Sequence, residues 1–275
     1  MAEFVCAMGM THNPRIFYST TPPPQVVKNR IFGIFSQLRD IKNKTKPDLL
    51  IVIGNHHITT FLEVIPAFCI CISEYAEGPT SFEREAGLPY YRCSINCDAA
   101  NHLVKHCIEN GFDISRAYES VLDHAFTVPL KFIAPEMDTP IIPLITNVHV
   151  QPIPSPLRFY RLGQAIAKAM KNYNTDLRVG IIASFNLSLN VGNSKMGVYD
   201  GVFDKFVMDY VSNGKLKDLV YKLNISHLLG AGNSTVELLN LFVLFGAIGD
   251  IRPLFTFNEI VRGWGTISAV AWIFV

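Results

Sequence analysis

The chain has 275 residues, with 24 Lys+Arg against 23 Asp+Glu and a formal net charge of +1. That balance leaves no broad basic field to grip a phosphate backbone, so nucleic acid is excluded as the expected partner. Hydrophobic residues make up 49%, ample for a buried core and too many for intrinsic disorder.

Charged residues make up only 17%, below the roughly 25% usual in soluble domains, which predicts apolar surface covered in a homo-oligomer. The start, Met1 to Cys6, carries no basic segment followed by a long apolar run, and no apolar stretch reaches the roughly 18 residues of a membrane span. A cytoplasmic chain without leader or membrane segment is expected. The cysteines Cys6, Cys69, Cys71, Cys93, Cys97 and Cys107 form no CxxC pair and are expected as buried free thiols.

Phe4 to Met10 reads as a strand stopped by Thr11-His12-Asn13-Pro14. After Pro22-Pro23-Pro24, the positions Val26, Val27, Ile31, Ile34, Phe35 and Leu38 predict a helix. Asp48 to Gly54 is a short aliphatic run, as in a strand buried on both faces. Strands follow at Ile65–Ile72, Ile141–Thr146 and Leu177–Ala183, with helices at Ala99–Asn110 and Leu157–Met170. Helices are also predicted over Phe203–Ser212, Leu216–Leu223 and Ser234–Ala247, and closing strands over Arg252–Phe257 and Thr266–Phe274. This alternation predicts a single α/β domain over 1–275, a central mostly parallel or mixed sheet covered by helices.

Polar clusters stand after predicted strands or at a helix start: His12, His56-His57, Ser184-Phe185-Asn186 and Glu237. Ligands of open α/β sheets bind at the carboxyl ends of strands, where His12 and His57 could converge with Glu237. Two imidazoles and one carboxylate are what a non-haem Fe(II) oxygenase needs. The same residues have simpler uses. His12, His56 or His57 could hydrogen-bond a turn, and Ser234-Thr235-Val236-Glu237 fits a capping box that would spend Glu237 on its own helix. His102 and His106 are one helical turn apart and could bind metal or line a solvated face, while His149 and His227 show no partner pattern.

Several segments resemble the class III, LigB-type extradiol dioxygenases. They are Gly9 to Pro14, Val52 to His57 followed by Phe61, Leu122-Asp123-His124-Ala125-Phe126 with Pro129-Leu130, Ala231 to Glu237, and Gly263 to Ala269. The anchors run in family order across nearly the whole chain and look most similar to the 2,3-dihydroxyphenylpropionate and protocatechuate branches. The resemblance implies a LigB-like fold and Fe(II) held by His12, His57 and Glu237. It also implies a small catechol-like or aminophenol-like substrate cleaved with O₂. His124 would assist proton transfer beside the substrate, Asp123 could hold its ring, and His56 would stand next to the second ligand.

One segment departs from the family. Where the family reads Gly-Ser-Gly-Gly-Leu-Ser-His, this chain reads Ala183-Ser184-Phe185-Asn186-Leu187-Ser188-Leu189, so the usual catalytic histidine is Leu189. Losing a positioned acid/base group typically costs about 10²–10⁴ in rate. Phe185 and Asn186 replace glycines and are expected, with His56 and Leu189, to reshape the substrate pocket. Three readings follow: an extradiol dioxygenase relying on His124, a metal-dependent LigB-fold enzyme of different reaction, or a non-catalytic subunit in a heteromer.

Overall fold

The computed structural model describes residues 1–119 and 121–274. In chain order, β1 (Glu3–Met10), α1 (Arg15–Tyr18), α2 (Gln25–Thr45) and β2 (Leu49–Asn55) lead to β3 (Phe68–Cys71), β4 (Tyr75–Gly78), α3 (Ser81–Glu85) and β5 (Tyr91–Ser94). Then come α4 (Cys97–Glu109), β6 (Ser115–Ala117), α5 (His124–Ile133), β7 (Ile141–Thr146), α6 (Pro156–Lys171) and β8 (Arg178–Ser184). The chain ends with α7 (Gly201–Ser212), α8 (Leu216–Lys222), α9 (Ile225–Ala231), a 3₁₀ turn (Thr235–Leu238), α10 (Leu239–Ile248), β9 (Phe255–Val261) and β10 (Gly265–Ile273).

The main sheet runs β6-β3-β7-β2-β8-β1-β10-β9. Its four central strands, β7-β2-β8-β1, are mutually parallel, and β3, β10 and β9 add antiparallel pairings toward the edges. This is the expected mixed sheet, and the aliphatic runs explain it: every residue of β2 and β7 is buried, as between two helical layers. On one face α2 turns Ile31, Phe35, Leu38 and Ile41 inward and packs against α5. On the other, α10 is buried along its length from Leu239 to Gly246 and lies against α6. The two backbones touch there, since a Cβ at Gly163 would come within 1.9 Å of the Val243 carbonyl and one at Gly246 within 1.8 Å of the Tyr160 carbonyl.

The central strands all end at one edge, in register Met10–Ser184, Ile53–Ala183 and Asn55–Thr146. Their next residues, Thr11-His12, His56-His57, Asn147-Val148-His149 and Phe185-Asn186, therefore emerge side by side. Asn240 of α10 ties three of these ends together. Its Nδ2 donates to Asn55 Oδ1 at 2.9 Å and to the Ser184 carbonyl at 2.8 Å, and its Oδ1 accepts from Thr146 Oγ1 at 2.6 Å.

Several expectations need correction. The helix expected over Ser234–Ala247 is broken, because the 3₁₀ turn precedes α10 while the Ser234 N–H and Thr235 Oγ1 bond the backbone of Leu189. The strand expected from Arg252 starts at Phe255 and continues to Val261. The β4–β5 hairpin, α3 and α5 had no expected counterpart, and α5 carries Pro129 inside it. Cys6, Cys69, Cys93, Cys97 and Cys107 are free thiols, and of the six cysteines all but the half-buried Cys97 are buried, as expected. Among the described residues no helix is long and apolar enough to cross a membrane.

Candidate active site

The strand ends and the 3₁₀ turn bring three histidines around one carboxylate. Glu237 Oε2 lies 3.1 Å from His12 Nε2, and its Oε1 lies 3.3 Å from His57 Nε2 and 3.1 Å from His149 Nε2. His12 is 1% exposed and Glu237 2%. The capping box that the sequence also allowed does not form: Ser234 makes no side-chain cap, and Glu237 faces the histidines instead. His149, which showed no partner pattern in the sequence, belongs to the cluster.

Each ring is steered by its second nitrogen or its neighbours. His12 Nδ1 meets Ser184 Oγ at 2.7 Å. Asp123 Oδ2 accepts the His57 backbone N–H at 2.8 Å and the His57 Nδ1–H at 3.1 Å. Asn186 Nδ2 donates to Glu237 Oε2 at 2.5 Å and lies 3.2 Å from His12 Nε2. His124 stacks on His57 with ring centroids 4.0 Å apart, and its Nδ1 donates to Glu83 Oε1 at 2.5 Å. The expected Asp123–His124 pair is thus corrected. Asp123 caps the N-terminus of α5 through Ala125 and orients His57, whereas Glu83, reached through the Thr80 capping box of α3, orients His124.

The charges follow from these contacts. Burial disfavours an imidazolium at His57, yet Asp123 and Glu237 lift it to about 10. Asp123 is buried as well, but His57 holds its carboxyl well below the usual range. Burial likewise opposes a charged Glu237, and His12 followed by His149 and His57 holds it well below its ordinary value. Burial and then the neighbouring His57 push His124 down, so its ring is kept neutral.

Whether a metal suits these residues can be read from His57. The Asp123 carboxylate can only accept, so Nδ1 carries one proton, and the electron pairs of Nε2 and Glu237 Oε1 meet across 3.3 Å. Two electron pairs so placed repel unless a proton or a metal cation lies between them. Donor separations of 3.1–3.3 Å also match neighbouring donors on a metal with bonds of roughly 2.0–2.2 Å. Two overlapping groups, His12-His57-His124 and His57-His149-Glu237, each keep their donor atoms within 4.8 Å of one another. The donor set fits a transition-metal ion such as Fe(II).

His12, His57, His124, Asn186, Leu189 and Glu237 line a cavity of about 240 Å³ that also takes in Arg15, Tyr18 and Tyr199. Phe185 and His56, expected in the pocket, do not line it. Side chains alternate along extended backbone. Ser184 and Asn186 therefore reach His12 while Phe185 turns into the core, where its ring would meet a Cβ at Gly9 at 3.0 Å. Likewise Asn55 and His57 face the site, whereas His56 packs edge-on against Phe61 with centroids 5.3 Å apart. The His102–His106 pair lies elsewhere, with His102 Nε2 donating to the Ala169 carbonyl at 2.8 Å.

Residues 6–271 match the family model described as the catalytic LigB subunit of aromatic ring-opening dioxygenase. A 2,3-dihydroxyphenylpropionate/2,3-dihydroxicinnamic acid 1,2-dioxygenase of Photorhabdus laumondii is 23% identical over 260 residues, covering 90% of this chain and 78% of the relative. The enzyme of the same name from Klebsiella pneumoniae is 28% identical over 182 residues, covering 65% of this chain and 54% of its own length. The chain thus spans about half of that relative. A crystal structure of an uncharacterized Escherichia coli K12 protein shares the fold, with a TM-score of 0.63 at 14% identity over 97% of this chain and 99% of that one.

Proposed function

This chain belongs to the LigB family of aromatic ring-opening dioxygenases, and from that premise we propose that it is an Fe(II)-dependent extradiol-type dioxygenase. Its substrate is a small catechol-like or aminophenol-like ring, cleaved with O₂. The observation that carries this reading is the convergence of His12, His57 and Glu237 on the cavity floor beside His124.

His12, His57 and Glu237 would hold the iron, which when bound supplies a Lewis acid that positions diol and O₂ and stabilises the negative charge that develops. The chain's own residues do the rest. Ser184 and Asp123 fix the His12 and His57 rings, so the donors need little reordering to receive the metal. His124 lines the cavity with Nδ1 committed to Glu83, which leaves Nε2 to take the proton of a substrate hydroxyl. Held neutral, that imidazole can accept it.

Leu189 stands in the cavity wall and can neither give nor take a proton, so proton transfer rests on His124. Arg15, beside Tyr18 and Tyr199 in the same wall, suits an anionic ring substituent such as the propionate in the relatives' named substrate.

The test is iron stoichiometry per chain after anaerobic loading, with and without a catechol, followed by ring-cleavage assay with O₂. About one iron per chain is expected, with a spectral change on adding the diol and loss of binding in His57→Ala. A wild-type chain that binds no iron, or a His57→Ala variant that binds it unchanged, would sink the reading.

A further inference from the structure

Asn186 stands where the family has a glycine, and Leu189 stands three positions later where it has a histidine. Both side chains line the cavity. Asn186 is 3% exposed, and each polar atom of its amide has a neighbour. Its Oδ1 accepts from Thr11 Oγ1 at 2.5 Å, its Nδ2 donates to Glu237 Oε2 at 2.5 Å, and the same Nδ2 lies 3.2 Å from His12 Nε2. These contacts fix which way the amide points. Turned over, it would set Oδ1 against a Glu237 oxygen, two acceptors with no proton between them.

An amide nitrogen carries two N–H bonds. One belongs to Glu237 Oε2, and the acceptor beside the other is His12 Nε2, the atom that the proposed function gives to the metal. A lone pair committed to a metal cannot also accept a hydrogen bond. Metal loading therefore frees one buried N–H in the cavity wall, beside the ion to which the diol would bind, and a buried donor left without an acceptor is unfavourable.

We propose that Asn186 is a catalytic hydrogen-bond donor: with metal bound, its second N–H turns to an ionised hydroxyl oxygen of the diol and stabilises the negative charge there. The inference rests on the metal reading given under the proposed function. It complements the role of His124 without duplicating it, because a carboxamide donates a hydrogen bond but neither gives up nor takes a proton near neutral pH. Leu189 has nothing to offer that charge, so the charge falls to Asn186 and the proton to His124 Nε2.

Anaerobic titration of the intact, Co(II)-saturated chain with 4-nitrocatechol tests this on wild type, Asn186→Ala and Asn186→Leu, the last keeping the volume if the alanine variant fails to fold. The visible band of this catechol reports its ionisation, so affinity and charge are read together without turnover. Loss of a hydrogen bond to a charged oxygen should weaken binding about 10- to 100-fold and shift the band toward the less ionised form. In Fe(II)-loaded protein, kcat for ring cleavage should fall about 10²- to 10³-fold. A loss of affinity below about tenfold, an unshifted band or an unchanged kcat overturns the proposal. So does a variant that loses only Co(II) affinity, since Asn186 would then merely steady Glu237. Wild-type protein that binds no Co(II), or binds it without taking up nitrocatechol, overturns the proposed function as well, which keeps the two failures apart.

Discussion

Asp123 spends its two carboxylate oxygens on different tasks: Oδ1 caps α5 through the Ala125 N–H at 2.9 Å, and Oδ2 holds the His57 ring at 3.1 Å. One residue thereby joins a helix start to a candidate ligand.

Asp123→Asn separates the two tasks, because an amide still caps a helix but its NH₂ cannot accept from His57 Nδ1. The expected outcome is a melting temperature near that of wild type and a 10- to 100-fold loss of metal affinity. Calorimetric titration with Co(II) beside a thermal melt measures both, and unchanged affinity would remove Asp123 from the site.

Leu189 and Phe185 should respond in opposite ways. Leu189→His puts an imidazole into the cavity wall and is expected to raise kcat for a simple catechol by up to about 10²-fold. Phe185→Ala removes a fully buried ring and should cost about 3–5 kcal/mol of stability without enlarging the pocket. Ring-cleavage kinetics on the first variant and denaturant melts on the second check the pair.

Arg15 makes no ion pair among the described residues and faces the cavity. Arg15→Ala should raise KM roughly 10- to 100-fold for a diol bearing a carboxylate, the worth of one charge-assisted hydrogen bond, and leave unsubstituted catechol unaffected. Equal effects on both substrates would assign Arg15 a structural role.

Asp204 sets a pH dependence of stability away from the site. Burial lifts its carboxyl to about 6, against hydrogen bonds from the Ser188 N–H at 2.8 Å and Oγ at 2.9 Å. Between the ordinary carboxylate value of about 4 and that raised value, the folded chain binds more protons than the unfolded one. Stability contributed by this group is therefore fully present below about pH 4, falls as the pH rises toward 6, and stays lowered above it. Melting temperatures across pH 4 to 7 should show the decline, and Asp204→Asn should flatten it.

Much of the architecture was legible because central parallel strands are written as unbroken aliphatic runs such as Leu49 to Ile53, and their ends are where α/β sheets place ligands. His12, His57 and Glu237 could be found that way, with the resemblance to guide the choice. His149 and Glu83 could not, since their partners lie 88 and 41 positions away in Glu237 and His124 and are met only on folding. Strict alternation after β2 and β8 would have sent His56 and Phe185 away from the site, and that signal was readable. The break before α10 was hidden because Ser234-x-x-Glu237 mimics a capping box, and only its contacts with Leu189 divert it.

The Asn240 tie has a dynamic consequence. One amide on a helix whose backbone is wedged against α6 fastens the ends of β2, β7 and β8, from which His57, His149 and Asn186 follow. These residues then behave as parts of a single rigid frame. Amide hydrogens at the ends of those strands should exchange together, in the slow class that reports global opening, whether or not metal is present. Little conformational entropy is then left for the metal to remove, and loading becomes a matter of displacing protons and water rather than of ordering the chain.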